Sequence, residues 1–102
     1  MSYEYPTDEQ LDAVKSWDFR AATVTAWFQF IKTIWWMPDW GWHEYDGVDD
    51  FEHRIRVYHI STGGWSGNES IISAMVGTVG WMVSFYQHRR GGHYEFRVKA
   101  GE

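Results

Sequence analysis

Residues Trp81 to Lys99 read W-M-V-S-F-Y-Q-H-R-R-G-G-H-Y-E-F-R-V-K. Two runs, Trp81–Arg89 and His93–Lys99, alternate apolar and polar side chains with the period of two that belongs to a strand with one buried face. Between them Gly91 and Gly92 suit the positive φ angles of a tight hairpin. With these two glycines as the loop, Arg90 faces His93, Arg89 faces Tyr94, His88 faces Glu95, Gln87 faces Phe96, Tyr86 faces Arg97 and Phe85 faces Val98. Trp81, Val83, Phe85, Tyr94, Phe96 and Val98 then share one face. Ser84, Tyr86, His88, Arg90, His93, Glu95, Arg97 and Lys99 share the other, so the register predicts a sheet with a core side and a wet side.

Working outward, His53–Ser61 alternates Arg54, Arg56 and Tyr58 with Ile55 and Val57 and reads as a further strand. It runs directly into S-T-G-G-W-S-G-N-E, Ser61 to Glu69. There Ser66 and Glu69 have capping-box spacing for a helix whose apolar face is Ile71, Ile72, Met75 and Val76 and which ends near Gly77 or Gly80. At the other end of the chain, T-D-E-Q (Thr7 to Gln10) is a second capping box and predicts a short helix to about Trp17. Asp18 can cap the next helix, in which Val24, Phe28, Ile31 and Trp35 fall at helical spacing until Pro38 stops it. Pro38–Asp50 holds one proline, two glycines and five acids with no sustained period. A loop is expected there, able to fold over a ligand as a lid. Its acids Asp46, Asp49 and Asp50 match no calcium-loop spacing. The expected fold is α+β in the order α-α-β-α-β-β, with a small, largely antiparallel sheet.

A chain of 102 residues with 8 Trp and 20% aromatic residues is expected to form a single domain, 1–102, with a core of few, large side chains. Eight tryptophans exceed what such a core hides, so some are expected in a ligand pocket or a subunit contact, and a homo-oligomer follows. There is no cysteine, which excludes a disulfide framework and thiolate metal sites. The acidic, polar start lacks the basic and apolar regions of a signal peptide, and no apolar run reaches the roughly 20 residues that span a bilayer. A cytoplasmic protein with no membrane contact is the expectation. The net charge of −5 disfavours general nucleic-acid binding, which rests on a basic surface. The charge is divided, however. Residues 1–52 carry three cations against eleven acids, whereas residues 53–99 carry six against two.

The basic half contains both glycine segments, and together they predict an anion site. Gly63, Gly64 and Gly67 let backbone N–H groups converge where a helix begins, and unsatisfied N–H groups at a helix start favour phosphate. Ser61, Thr62, Ser66 and Asn68 can add hydrogen bonds, Arg89 and Arg90 a planar charged fork, His93 a further donor, and Trp65 a surface on which a base or ring stacks. Neither the nucleoside-triphosphate loop nor the dinucleotide fingerprint is present. The same residues also serve a purely structural reading, in which the glycines turn the chain and Trp65 fills a gap.

S-T-G-G-W-S-G-N-E, the following I-I, W-M, and R-R-G-G-H-Y-E-F, together with W-W-M-P-D-W-G-W at Trp35 to Trp42, resemble a family of small tailed-bacteriophage proteins. The resemblance brings no biochemical activity with it. It implies the setting of a phage accessory protein inside an infected bacterium, acting by sequestering a signalling nucleotide or by blocking a host defence protein. The favoured expectation is binding of a small phosphate-bearing molecule without turnover. One alternative is an inhibitor working by protein contact, supported by the Trp and Tyr surplus and an acidic first half that could mimic nucleic acid. Another is a small phosphoesterase. His59-Ile60-Ser61 resembles half of a two-histidine phosphoesterase signature, which makes His59 and His93 the candidate catalytic residues. The second half is missing, because His93-Tyr94-Glu95 and His88-Arg89-Arg90 carry no hydroxyl at the required place. The histidines at 43, 53, 59, 88 and 93 show no zinc-binding spacing, and no metal or cofactor is expected.

Overall fold

The structure, a computed structural model, describes residues 5–102. It is an α+β fold in the order α1 (Asp8–Lys15), α2 (Val24–Ile34), α3 (Pro38–Gly41), β1 (Trp42–Val48), β2 (Arg54–Ser61), α4 (Ser66–Met75), α5 (Val79–Ser84), β3 (Phe85–Arg89) and β4 (His93–Lys99). The strands form one antiparallel sheet in the order β1-β2-β4-β3.

The first helix starts as its sequence dictates. Thr7 Oγ1 accepts from the Gln10 N–H at 3.1 Å, and the Thr7 N–H donates to Gln10 Oε1 at 2.8 Å. Asp8 and Glu9 in the first turn and Lys15 in the last complement the helix dipole. The second helix is capped by Thr23, whose Oγ1 accepts from the Ala26 N–H at 3.0 Å, and not by Asp18. Asp18 instead holds a turn, accepting from the N–H groups of Arg20, Ala21 and Ala22. Two competent caps five positions apart cannot be ranked locally. The packing of Phe19 edge-on against Trp27 requires the turn first.

Val24, Trp27, Phe28 and Ile31 on α2 are buried at i, i+3, i+4 and i+7. Phe28 lies on the sheet, stacked on Tyr58 with ring centroids 4.3 Å apart and tilted against Phe96 at 5.2 Å. Ile71, Ile72 and Met75 of α4 complete this core, and Trp81 of α5 packs on Phe96. The helices therefore cover the sheet face that carries Trp42, Tyr58, Ile60, Tyr94, Phe96 and Val98. The tryptophans are used mainly inside: Trp27, Trp35 and Trp42 are buried, and Trp40 is the exposed one among the described residues.

Three elements differ from the sequence reading. The acidic segment expected as a lid is the edge strand β1, paired with β2 from Trp42 opposite Ile60 to Val48 opposite Arg54. Its acids are neutralised across the ladder and from α2. Glu44 accepts from Arg56 Nε and Nη2 at 3.1 and 2.7 Å, from Trp42 Nε1 at 3.1 Å and from Lys32 at 3.4 Å, while Asp46 accepts from Arg56 Nη1 at 2.9 Å. Cross-strand pairing supplies what strand propensity lacks.

Residues Val79–Ser84, expected at the head of a strand, form α5, with Thr78 Oγ1 accepting from the Trp81 N–H at 3.1 Å. Gly80 explains the choice. A Cβ there would lie 2.6 Å from Trp27 and 2.7 Å from Phe19, so this turn is held by close approach to the core and not by its own period.

The hairpin loop is three residues, Arg90-Gly91-Gly92, with φ of 88° and 79° at the glycines, and Arg89 faces His93. The register is thus one residue away from the expected one. Gln87 faces Glu95, His88 stacks on Tyr94 at 4.2 Å, and an irregularity between Phe85 and Gln87 returns Phe85 to Phe96. One residue of slip exchanges the faces of β3, so Gln87 and Arg89, not His88 and Arg90, join His93 and Glu95 on the face away from the helices.

Candidate functional site

The face left uncovered by the helices carries His59 and Ser61 from β2 and His93 and Glu95 from β4. Antiparallel register sets His59 opposite Glu95 and Ser61 opposite His93, so two sequence patterns, His-x-Ser and His-x-Glu, interlock into a four-membered polar cluster. Ser61 Oγ and His93 Nδ1 are 2.6 Å apart, and Tyr45 Oη and His59 Nε2 are 3.1 Å apart. His59 Nε2 lies 3.9 Å from Glu95 Oε1, too far for a hydrogen bond but close enough for charge to act. Gln87 and Arg89 from β3 wall one side. The resulting open cleft has a volume of about 270 Å³.

Glu95 is the anchor. It is buried, 5% exposed, and accepts from Arg97 Nε at 2.7 Å and Gln87 Nε2 at 2.8 Å. Burial pushes its carboxyl up, but the hydrogen bonds from Arg97 and Gln87 and the positive charge of Arg97 outweigh that and hold it below the usual carboxylate range. Arg97 lies over the Tyr86 ring at 3.5 Å, which fixes the guanidinium from its other side. Glu44 on the helix-covered face behaves alike. Burial raises it, and hydrogen bonds from Arg56 and Trp42 with the charges of Arg56 and Lys32 bring it below its ordinary value.

Because both folded-state values are depressed, each group stabilises the fold above its ordinary value near 4.5, and the contribution disappears as pH falls through the lower folded value. Thermal unfolding is therefore expected at a steady midpoint from pH 7 to about 5, with a fall beginning below about 4.5. Glu95→Gln and Glu44→Gln should each cost about 1 kcal/mol at pH 7, the arginine partners being partly solvated, and each should flatten the acid limb. A midpoint that declines equally in all three proteins would show that other carboxylates control acid unfolding.

The glycine loop has a different task from the one its composition suggests. The Thr62 N–H donates to Gly92 O at 3.0 Å, its carbonyl accepts from the Trp65 N–H at 3.1 Å, and its Oγ1 accepts from the Gly64 N–H at 3.4 Å. Buried Asn68 latches the loop to the end of α2, accepting from the Trp36 N–H at 2.9 Å and donating to Trp36 O at 3.2 Å. Gly63, with φ of 64°, lies under the Trp40 ring, and Gly67 under Trp65. Trp65 stacks on Tyr5 at 5.2 Å and tilts against Trp36 at 5.1 Å. The expected cap on α4 is not made by Ser66, whose hydroxyl donates to Tyr5 Oη at 2.9 Å; Ser66 is the first helical residue, and Trp65 takes the cap position without a side-chain bond.

The two glycine segments do meet, through Thr62 and Gly92. Of the residues singled out from the sequence, His59, Ser61, Arg89 and His93 line the cleft. Thr62, Gly63, Gly64, Trp65, Ser66, Gly67 and Asn68 build the adjoining loop, and Arg90 projects from the hairpin turn. The sequence reading missed Glu95, Gln87, Arg97 and Tyr45. The signal was the mirrored spacing of His-x-Ser and His-x-Glu on strands that pair antiparallel.

A roomier groove of about 460 Å³ lies at the far end of the sheet among Val48, Arg54, Ile55 and Lys99, but its Arg56 is committed to Glu44 and Asp46. Among the described residues no group of three or more His, Asp or Glu is placed to hold a metal ion, and no helix is long and apolar enough to cross a membrane. Compared with protein-family models, with curated proteins and with solved structures, the chain matches none.

Proposed function

We propose that this protein binds a small phosphate-bearing molecule, a nucleotide or nucleotide signal, in the cleft formed by β2, β4 and β3. One observation carries the reading: Ser61, His93 and Arg89, drawn from three strands, converge at one end of an uncovered sheet face. The hydroxyl and the guanidinium offer donors that a phosphate accepts, and the imidazole, 2.6 Å from the hydroxyl, holds it in place. The half-exposed Tyr45 ring, stacked on His59 at 5.7 Å, offers a base the flat surface that Trp65, packed between Tyr5 and Trp36, does not. In this reading the protein captures its ligand as a phage accessory protein acting against a host defence, the setting that its motifs imply by resemblance.

A second reading, contact with a host protein or with another copy of the chain, is supported by a different surface. Val79, Met82 and Val83 of α5 and Phe85 and Tyr86 of the edge strand β3 are exposed together, with Met82 at 74%.

Calorimetric titration with mono-, di- and cyclic nucleotides tests the first reading. Wild-type protein is expected to bind at least one of them, and Arg89→Glu to weaken that binding by about 10- to 100-fold, because a donor fork becomes a repelling charge. No heat with any nucleotide would end this reading and leave the protein contact.

A further inference from the structure

We infer that the cleft cleaves a phosphodiester, with His93 as general base and His59 as general acid, an inference that rests on the phosphate-binding reading. The register makes the two histidines diagonal neighbours across β2 and β4, with Cβ atoms roughly 7 Å apart, and both line the same open cleft. Their surroundings are opposite in sign. His59 faces the Glu95 carboxylate, and His93 faces Arg89 across the β3–β4 ladder. The carboxylate is placed to hold the ring that gives up a proton, and the Ser61 hydroxyl to orient the ring that takes one.

Hydrogen bonding orients both rings. In the tautomer that this step requires, His93 Nδ1–H donates to Ser61 Oγ, 2.6 Å away, and Nε2 keeps the free lone pair. With Nε2 of His59 held by Tyr45 at 3.1 Å and faced by Glu95, Nδ1 carries the transferable proton. The other groups facing His59 are His43 on β1 and, beyond Glu95, Arg97 and Gln87; those facing His93 are Ser61 and Arg89.

The two roles suit a phosphodiester, whose alkoxide leaving group needs a proton while the attacking water must lose one. In the step itself a water oxygen bonds to phosphorus while its proton passes to His93 Nε2. The bond from phosphorus to the leaving oxygen breaks, and that oxygen takes the proton from His59. The products are a phosphomonoester and an alcohol, and solvent returns the two histidines to their starting states.

The test incubates the full chain with bis(4-nitrophenyl) phosphate, with 2′,3′- and 3′,5′-cyclic AMP and with a dinucleoside monophosphate. Products are identified by mass, and binding of each probe is measured separately by calorimetry. Hydrolysis of at least one diester is expected, with a bell-shaped pH dependence of kcat. His93→Asn should remove the acid-side limb and His59→Asn the alkaline-side limb, each lowering kcat by about 10²- to 10⁴-fold, a far larger effect than either has on Kd. Both side chains are at least partly exposed, and an unchanged melting midpoint shows that the variants are folded. Binding of these probes with quantitative recovery of unaltered diester would overturn the catalytic inference and leave the binding reading standing. Turnover equal in wild type and both variants would overturn it as well, and no binding of any phosphate compound would remove both.

Discussion

Phe28→Ala is expected to lower the unfolding free energy by about 4 kcal/mol, in the middle of the range of about 3–5 kcal/mol for removing a buried aromatic ring. Phe28 is 0% exposed and touches four other rings: Trp27 at 5.2 Å, Trp42 at 6.4 Å, Tyr58 at 4.3 Å and Phe96 at 5.2 Å. The cost depends on whether these neighbours can close the cavity, and they are poorly able to. Trp27 is tied by its Nε1–H to Val14 O at 3.1 Å, Trp42 by its Nε1–H to Glu44 at 3.1 Å, and Tyr58 and Phe96 sit in paired central strands. Domains of this size have about 5–15 kcal/mol in total, so the midpoint of thermal unfolding should drop by about 20 °C. Urea unfolding followed by tryptophan emission measures it. A loss under about 1 kcal/mol would mean that the aromatic cluster repacks, and that α2 is held to the sheet chiefly by its rim.

Gly92→Val is expected to damage fold and cleft together. Gly92 has φ of 79°, a region hostile to a β-branched residue, and its Cβ would collide with Thr62 Oγ1. Thr62 cannot yield freely, because its N–H holds Gly92 O and its Oγ1 receives the Gly64 N–H. Strain and collision together should cost about 3 kcal/mol and weaken the proposed nucleotide binding at least tenfold, since Ser61 and His93 adjoin the two clashing residues. Gly101→Val is the comparison. There φ is 90° with nothing within 4 Å of the added Cβ, so strain acts alone and about 1–2 kcal/mol is expected. Denaturant midpoints and calorimetry on both variants separate the two effects. Equal losses would show that the contact between the hairpin and the glycine loop is soft, and that the loop does not position the cleft.

Much of the α+β pattern was legible locally. The Thr7–Gln10 box, the apolar stripe of α2 and the alternation of β2 and β4 need no partner to be recognised, because each is a relation between residues at most a few positions apart. Two of the misread elements, β1 and α5, share one cause, a stabilising partner distant in sequence. Without Arg56 and Lys32, the acids of Trp42–Val48 argue against a strand; with them, Glu44 becomes part of one. Without Trp27 and Phe19 pressing on Gly80, the alternation of Trp81, Val83 and Phe85 reads as a strand and not as a helical turn followed by one.

The candidate site shows the same division. His59, Ser61, Arg89 and His93 are conspicuous as residue types beside glycine turns, and the chain alone determined that a basic, histidine-bearing half would carry them. Only the tertiary structure decided which of them meet. A hairpin loop of three residues instead of two moves Arg89 and Gln87 onto the open face, and the β2–β4 register turns two separate histidines into a cluster held by Glu95. The physical reason is the period of a strand. Side chains alternate every residue, so a register shift too small to change any local preference exchanges which groups share a surface, and that exchange is settled only by the packing of the whole sheet against its helices.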